Sequence, residues 1–144
     1  MPGLLSPEPI DDKLRRILTS CQTIALIGAS ANPDRPSHGV MKFMQARGYR
    51  VIPVNPGLAG QTLLGEVVMS HLSAITEPVH MVDLFRRADQ VGPVVDEAIA
   101  MGAKVIWMQL DVCNHEAAAK AEAAGLDVIM DRCPKIELMR LGMR

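Results

Sequence analysis

Aromatic residues are nearly missing from this chain: one Trp, one Tyr and two Phe make up 3% of it. A stacking surface for single-stranded nucleic acid needs a series of rings, so that class of partner is excluded. Charge of one sign is missing too. The formal net charge is −1, with 15 basic against 16 acidic residues, which leaves no basic stripe for a phosphate backbone. Cysteine is scarce and odd in number. Cys21, Cys113 and Cys133 have neither metal-ligand spacing nor the pairing of a disulfide scaffold, which fits a reducing compartment. No apolar run approaches the ~18 residues that cross a bilayer. The opening Met1-Pro2-Gly3-Leu4-Leu5-Ser6-Pro7-Glu8-Pro9 lacks the basic segment and apolar core of a signal peptide. These absences predict a cytoplasmic protein with no nucleic acid and no membrane among its partners.

What is present is core. Of 144 residues, 49% are apolar and 22% charged, enough for one domain with a sizeable interior and not for two. Ten methionines, among them Met41, Met44, Met81, Met101, Met108 and Met130, fill the place that aromatics leave empty. Residues 1–9 carry three prolines and read as a loosely held lead-in. Asp11 or Asp12 then caps a first helix whose Leu14, Ile17 and Leu18 form an i, i+3, i+4 stripe. Residues 1–22 are thus lead-in and first helix, and 23–144 a single domain.

That domain alternates. Thr23-Ile24-Ala25-Leu26-Ile27 reads as a strand buried on both faces. A Gly28-Ala29-Ser30 corner and a proline-broken loop follow, with Ser37 in the place of an N-cap before an amphipathic helix closed by Gly48. Tyr49 to Pro56 is a second strand, Gly57 to Gly65 a loop, Glu66-Val67-Val68 a short edge strand and Leu72 to Ile75 a single helical turn. Three more strand–helix units follow: Val79–Phe85 with a helix over Ala88–Met101, Lys104–Leu110 with Asn114–Ala124, and Leu126–Asp131 with Pro134–Leu141. Pro134 stands at a first helical position. The alternation predicts right-handed crossovers and an α/β fold: a Rossmann-like doubly wound parallel sheet of about five or six strands in three α/β/α layers.

Ligands of such sheets sit at the carboxyl ends of the strands. Those ends carry Gly28-Ala29-Ser30, Asn55-Pro56, Phe85-Arg86-Arg87, Gln109 and Arg132-Cys133, with Arg35 in the first loop. Small residues let an anion approach backbone amides, a helix start faces it with partial positive charge, and guanidinium groups match phosphate oxygens. The site therefore suits a phosphorylated ligand. A nicotinamide dinucleotide is disfavoured: the Gly-x-Gly-x-x-Gly fingerprint is absent, and Asn55-Pro56 stands where an acidic residue would hold the ribose.

Three blocks, Gly28-Ala29-Ser30 with Pro33-Asp34-Arg35-Pro36-Ser37, Val51-Ile52-Pro53-Val54-Asn55-Pro56, and Met81-Val82-Asp83-Leu84-Phe85-Arg86, carry a resemblance. Trp107-Met108-Gln109 and Met130 through Glu137 extend it. Over about Thr23 to Gly142 the chain resembles the coenzyme A-binding protein family, a stand-alone Rossmann-type domain similar to the nucleotide-binding domain of the succinyl-CoA synthetase α subunit. The resemblance implies coenzyme A as the cofactor, bound through its adenosine-pyrophosphate half. By position, Gly28, Ala29, Ser30 and Ser37 would face the pyrophosphate, with Arg35 a phosphate partner. Val54, Asn55, Pro56, Leu84, Phe85 and Arg86 would border the adenosine. Relatives often carry a lysine just after the Asn-Pro pair, where it meets the 3′-phosphate; here Gly57 stands there and Gln61 is neutral. Recognition of that phosphate falls to Arg35 or Arg86, or is weak, and an unphosphorylated adenine nucleotide then competes.

Two further classes stay open. Cys133, at a strand end near a helix start and beside Arg132, is a candidate nucleophile or mixed-disulfide partner for a thiol or acyl-transfer enzyme; against this, it packs as a small apolar residue. An adenine-nucleotide-sensing domain is the other. Cys113 and His115 are two apart and do not face each other. Asp83 and Asp131 sit inside strands as ion-pairing or capping groups, and no catalytic constellation forms. The leading expectation is a carrier or sensor module for coenzyme A or an acyl-CoA, without chemistry of its own and with its partner protein unknown.

Overall fold

In the computed structural model, which describes residues 7–143, helix α1 (Ile10–Ser20) precedes strand β1 (Thr23–Ile27) and helix α2 (Pro36–Ala46). Strand β2 (Arg50–Val54) leads to two short strands, β3 (Thr62–Leu63) and β4 (Glu66–Val67). Then come β5 (Met81–Leu84), α3 (Gly92–Ala100), β6 (Val105–Met108), α4 (His115–Ala123), β7 (Asp127–Ile129) and α5 (Pro134–Arg140). Five strands form one parallel sheet in the order β2-β1-β5-β6-β7. The doubly wound parallel sheet expected from the sequence is present, with five strands.

The apolar strands alternate between two cores, which is why they read as unbroken apolar runs. Ile24, Leu26, Met81, Trp107 and Ile129 meet Leu14, Ile17 and Leu18 of α1, Met41 and Met44 of α2, and Leu138 of α5. Ala25, Ile27, Val82, Leu84, Ile106 and Met108 meet Val95 and Ala98 of α3 and Ala117, Ala118 and Ala121 of α4. Three layers result. Trp107, the largest side chain in the core, is fully buried and its indole N–H donates to the Arg132 carbonyl at 2.8 Å, so its polar atom is satisfied.

Helix α2 closes with Gly48 at φ +94, its N–H on Gln45 and the Tyr49 N–H on Met44, a Schellman pair. The same pattern of bonds ends α3, α4 and α5 at Gly102, Gly125 and Gly142. Both sheet edges are covered. Lys13 donates to the Val128 carbonyl of β7 at 2.9 Å, and Met69 donates to Pro53 beside β2 at 2.9 Å, which blunts the unpaired edge groups.

Four local expectations are corrected. Neither Asp11 nor Asp12 caps α1: Pro9 stands at the N-cap and both aspartates lie in the first turn, where the helix dipole favours them. The lead-in over residues 1–9 falls mostly on 1–6, outside the described residues. Thr62–Leu63 is not loop, and Glu66–Val67 is not an edge of the main sheet. They form a separate antiparallel pair around Leu64 and Gly65, both at positive φ, the backbone of a tight hairpin turn; Leu64 in that conformation is what hid it. The helix expected over Ala88–Met101 is a 3-10 turn, Ala88–Gln90, followed by α3: Pro93 has no N–H to bond back to Asp89, and it sits in the first turn of a new helix.

Candidate functional site

In strand order β2-β1-β5 the connections change direction at β1, and the crevice between the ends of β1 and β5 is the topological switch point. Gly28 lies there, one residue past β1, at φ +88. A Cβ built on it would lie 2.2 Å from the Phe85 carbonyl oxygen. Only glycine fits.

The turn is held by its neighbours. The N–H groups of Gly28 and Ala29 donate to the Val54 carbonyl at 3.0 and 3.2 Å. They are therefore engaged within the turn. Asn55 ties the turns after β1 and β2 together: its amide nitrogen donates to Ala29 O at 2.8 Å and its oxygen accepts from Gly57 N at 2.8 Å. Ser30 Oγ accepts from Asn32 N at 3.1 Å and Asn32 Oδ1 from Asp34 N at 3.0 Å, so the loop is a chain of side-chain turns.

Ser37 does not cap α2. Arg35 is at the N-cap, Pro36 opens the helix and Ser37 is 5% exposed. The reason is Pro36, whose fixed φ suits a first helical position. The Ser37 N–H is one of the orphan donors every helix start leaves.

Gly28, Ala29, Ser30, Arg35, Ser37, Asn55 and Phe85 line one concavity of about 320 Å³. Arg35, Pro36 and Phe85 also border a second cleft of about 620 Å³, whose far wall holds Gln109, Leu110, Cys133, Lys135 and Ile136. The two hollows thus share Arg35, Pro36 and Phe85 as a common wall. Val54, Pro56 and Arg86 line a third, smaller cavity on the opposite side of the crevice. Leu84 joins none of them: its side chain is fully buried among Val82, Val95 and Ile106.

Behind the cleft, Asp83 is 1% exposed and Gln109 5%, and the Gln109 amide stands 2.7 and 3.1 Å from the two Asp83 carboxyl oxygens. Burial pushes the Asp83 carboxyl well above the usual carboxylate range. A protonated Asp83 donates to the amide oxygen and an ionised one accepts from the amide nitrogen; burial favours the first. Asp83 is therefore neither capping nor ion-paired. Asp131 lies beyond β7 at φ +57 and accepts from the Asp111 N–H at 2.8 Å, which pins the loop after β6.

Cys133 is 6% exposed at the N-cap of α5. The Arg132 guanidinium pairs with Glu137, which is 4% exposed and also holds Arg140 at 3.2 Å. Arg87 pairs with Asp89 at 2.8 Å. The Arg86 Nε, by contrast, is buried with no hydrogen-bond partner among the described residues. The sequence did not mark as lining residues Leu110 and Lys135, which closely follow Gln109 and Cys133, nor Ser70, His71 and Glu97, which reach their cavity from segments away from the strand ends.

Similarity to known proteins agrees with this geometry. The chain is 39% identical over 128 residues to the Bacillus subtilis (strain 168) protein YneT, covering 89% of this chain and 93% of YneT. A solved structure of a hypothetical protein from Pyrococcus horikoshii OT3 is 38% identical, with a TM-score of 0.87 over 96% of this chain and 99% of that one. A Thermus thermophilus structure, cell-free ID.343, is 36% identical at a TM-score of 0.87, over 91% and 98%. No helix among the described residues is long and apolar enough to cross a membrane. The family described as the CoA binding domain matches residues 22–139, and the chain belongs to that family.

Proposed function

We infer that this protein binds coenzyme A, free or acylated, through its adenosine-pyrophosphate half, and holds it without chemistry of its own. The observation that carries the reading is the Gly28–Phe85 approach at the switch point. It opens a glycine-floored cradle at the start of α2 with Arg35 on its rim, where a pyrophosphate meets a helix N-terminus. The adjoining cleft of about 620 Å³, where Val40, Phe85, Leu110 and Ile136 supply apolar wall, offers room for the pantetheine arm. A holding role fits the side chains at hand: Ser30 and Asn55 are committed to the turn, and Arg132 is engaged by Glu137. The working compartment is the cytoplasm.

Thermal-shift and calorimetric titration under reducing conditions tests it, with coenzyme A, acetyl-CoA, dephospho-CoA, ATP, AMP and NADH. A ligand of the folded state stabilises it by mass action, about 2.7 kcal/mol at a hundredfold excess over Kd. Coenzyme A raises Tm, and Cys133→Ser binds it as tightly as the wild type. A response to AMP, ATP or NADH alone overturns the ligand assignment, and thiol- or acyl-transfer turnover lost in Cys133→Ser overturns the holding role.

A further inference from the structure

Three of the five large apolar side chains that stand exposed among the described residues gather beside the far wall of the cleft. Leu110 is 51% exposed and Ile136 45%, and both line it. Met139, 53% exposed, lies three positions past Ile136 on α5 and so on the same helix face. Singly, exposed apolar side chains are ordinary; a run of them beside a cleft marks a contact surface.

The fold does not require this arrangement. Leu110 is the first corner residue of a turn that the Val112 N–H closes on the Gln109 carbonyl at 2.9 Å, a position that ordinarily carries proline or a polar residue. Asp111 completes the turn at φ +66, and its N–H is fixed by the Asp131 carboxylate at 2.8 Å, so the loop that presents Leu110 is pinned. On α2, Gly39 also lines the cleft, and a Cβ there would have nothing within 4 Å. Packing thus leaves room for a side chain, yet the helix carries its weakest former short of proline, and the cleft stays open. Of the charged residues on the far wall, Lys135 sends its ammonium over the Phe43 ring at 5.4 Å, and Asp111 stands exposed at the turn. Val40 and Phe85 continue the apolar wall back towards the cradle. An occupant that starts at the cradle and ends here is anionic at one end and apolar at the other.

We propose that the strip of Leu110, Ile136 and Met139 receives the acyl chain of a coenzyme A thioester, so that the protein prefers a medium-chain acyl-CoA to acetyl-CoA and to free coenzyme A. This rests on the coenzyme A reading above and adds to it the class of acyl group. Continuity chooses the occupant. A pantetheine arm that leaves the cradle past Phe85 brings its thioester end to this wall, and an apolar chain attached there covers surface otherwise left to water. Calorimetric titration with coenzyme A, acetyl-CoA, butyryl-CoA, hexanoyl-CoA and octanoyl-CoA tests it. The proteins are the wild type, the double variant Leu110→Gln, Ile136→Gln, and Met139→Gln, with circular dichroism and light scattering as controls for folding and self-association.

Affinity of the wild type rises along the series, and octanoyl-CoA binds at least about tenfold more tightly than acetyl-CoA, since each fully buried methylene is worth about fourfold. The double variant brings the two to within about twofold. Met139→Gln lowers octanoyl-CoA affinity by about threefold and leaves coenzyme A and acetyl-CoA at their wild-type values. Equal binding of acetyl-CoA and octanoyl-CoA by a wild type that binds coenzyme A overturns this proposal and leaves the ligand reading standing. So does a chain-length gain that both variants keep, which marks unspecific adhesion. Self-association of the wild type that the double variant abolishes also overturns it, and marks the strip as an interface between copies. Binding of none of the five ligands overturns both readings.

Discussion

Gly28 and Phe85 approach so closely that a Cβ on the first would lie 2.2 Å from the carbonyl oxygen of the second. The contact follows from register. Ile27 pairs with Leu84, and the Phe85 N–H donates to the Ile27 carbonyl at 2.9 Å, so the two chains leave the sheet side by side where the connections diverge. The floor of the crevice is therefore bare backbone.

Gly28→Ala meets that carbonyl and a φ of +88 at once. Strain and overpacking together cost roughly 2–5 kcal/mol. Urea unfolding reads this as a lower midpoint at an unchanged slope. A variant as stable as the wild type would show that the crevice floor has room to yield.

Arg35 is exposed and lies on the rim that cradle and cleft share. Arg35→Ala weakens coenzyme A binding by about tenfold, the loss of a charge-assisted contact to phosphate, and moves ligand-free Tm by less than about 2 °C. Loss of Tm in proportion to affinity would place Arg35 in the fold and not at the ligand.

Gly57 follows the Asn55 turn, and a Cβ there meets nothing nearer than Asn55 Oδ1 at 3.4 Å, an ordinary contact. Gly57→Lys is thus tolerated and adds a cation beside the nucleotide end. Its expected effect is a several-fold larger preference for coenzyme A over dephospho-CoA, with ΔG of unfolding within about 0.5 kcal/mol of wild type. An unchanged ratio in calorimetry would put the 3′-phosphate elsewhere.

Asp83 ties stability to pH. Burial raises its carboxyl pKa in the folded state, so the folded protein holds this proton more tightly than the unfolded chain. Its contribution is greatest below about pH 4, the unfolded value, and is lost as pH climbs towards the raised folded value. Asp83→Asn keeps the shape and a donor for Gln109 and removes the titration. The variant gains stability relative to wild type as pH rises, measured by urea titration from pH 4 to 8. A constant difference across that range would mean the carboxyl titrates normally.

Much of this protein is written in its local sequence. Apolar runs such as Ile24-Ala25-Leu26-Ile27, glycines at 48, 102 and 125, and Pro134 at a helix start act over a few residues, through side-chain burial on both faces, positive φ and a missing N–H. They determine the alternation of strand and helix, and through it the layered sheet and the strand ends that border the crevice. What a residue does at those ends is a tertiary matter. Gly28 and Ala29 are as small as the sequence promised, yet their amides serve Val54, 25 or more positions along the chain by numbering. Leu84 is next to Phe85 in sequence and faces the opposite way, into the core, because strand neighbours alternate faces. Arg87 found Asp89 while Arg86 kept a buried, unpartnered nitrogen, and Glu97 reached the same cavity from α3. Such pairings depend on how the sheet order brings distant segments together, and no local pattern encodes that.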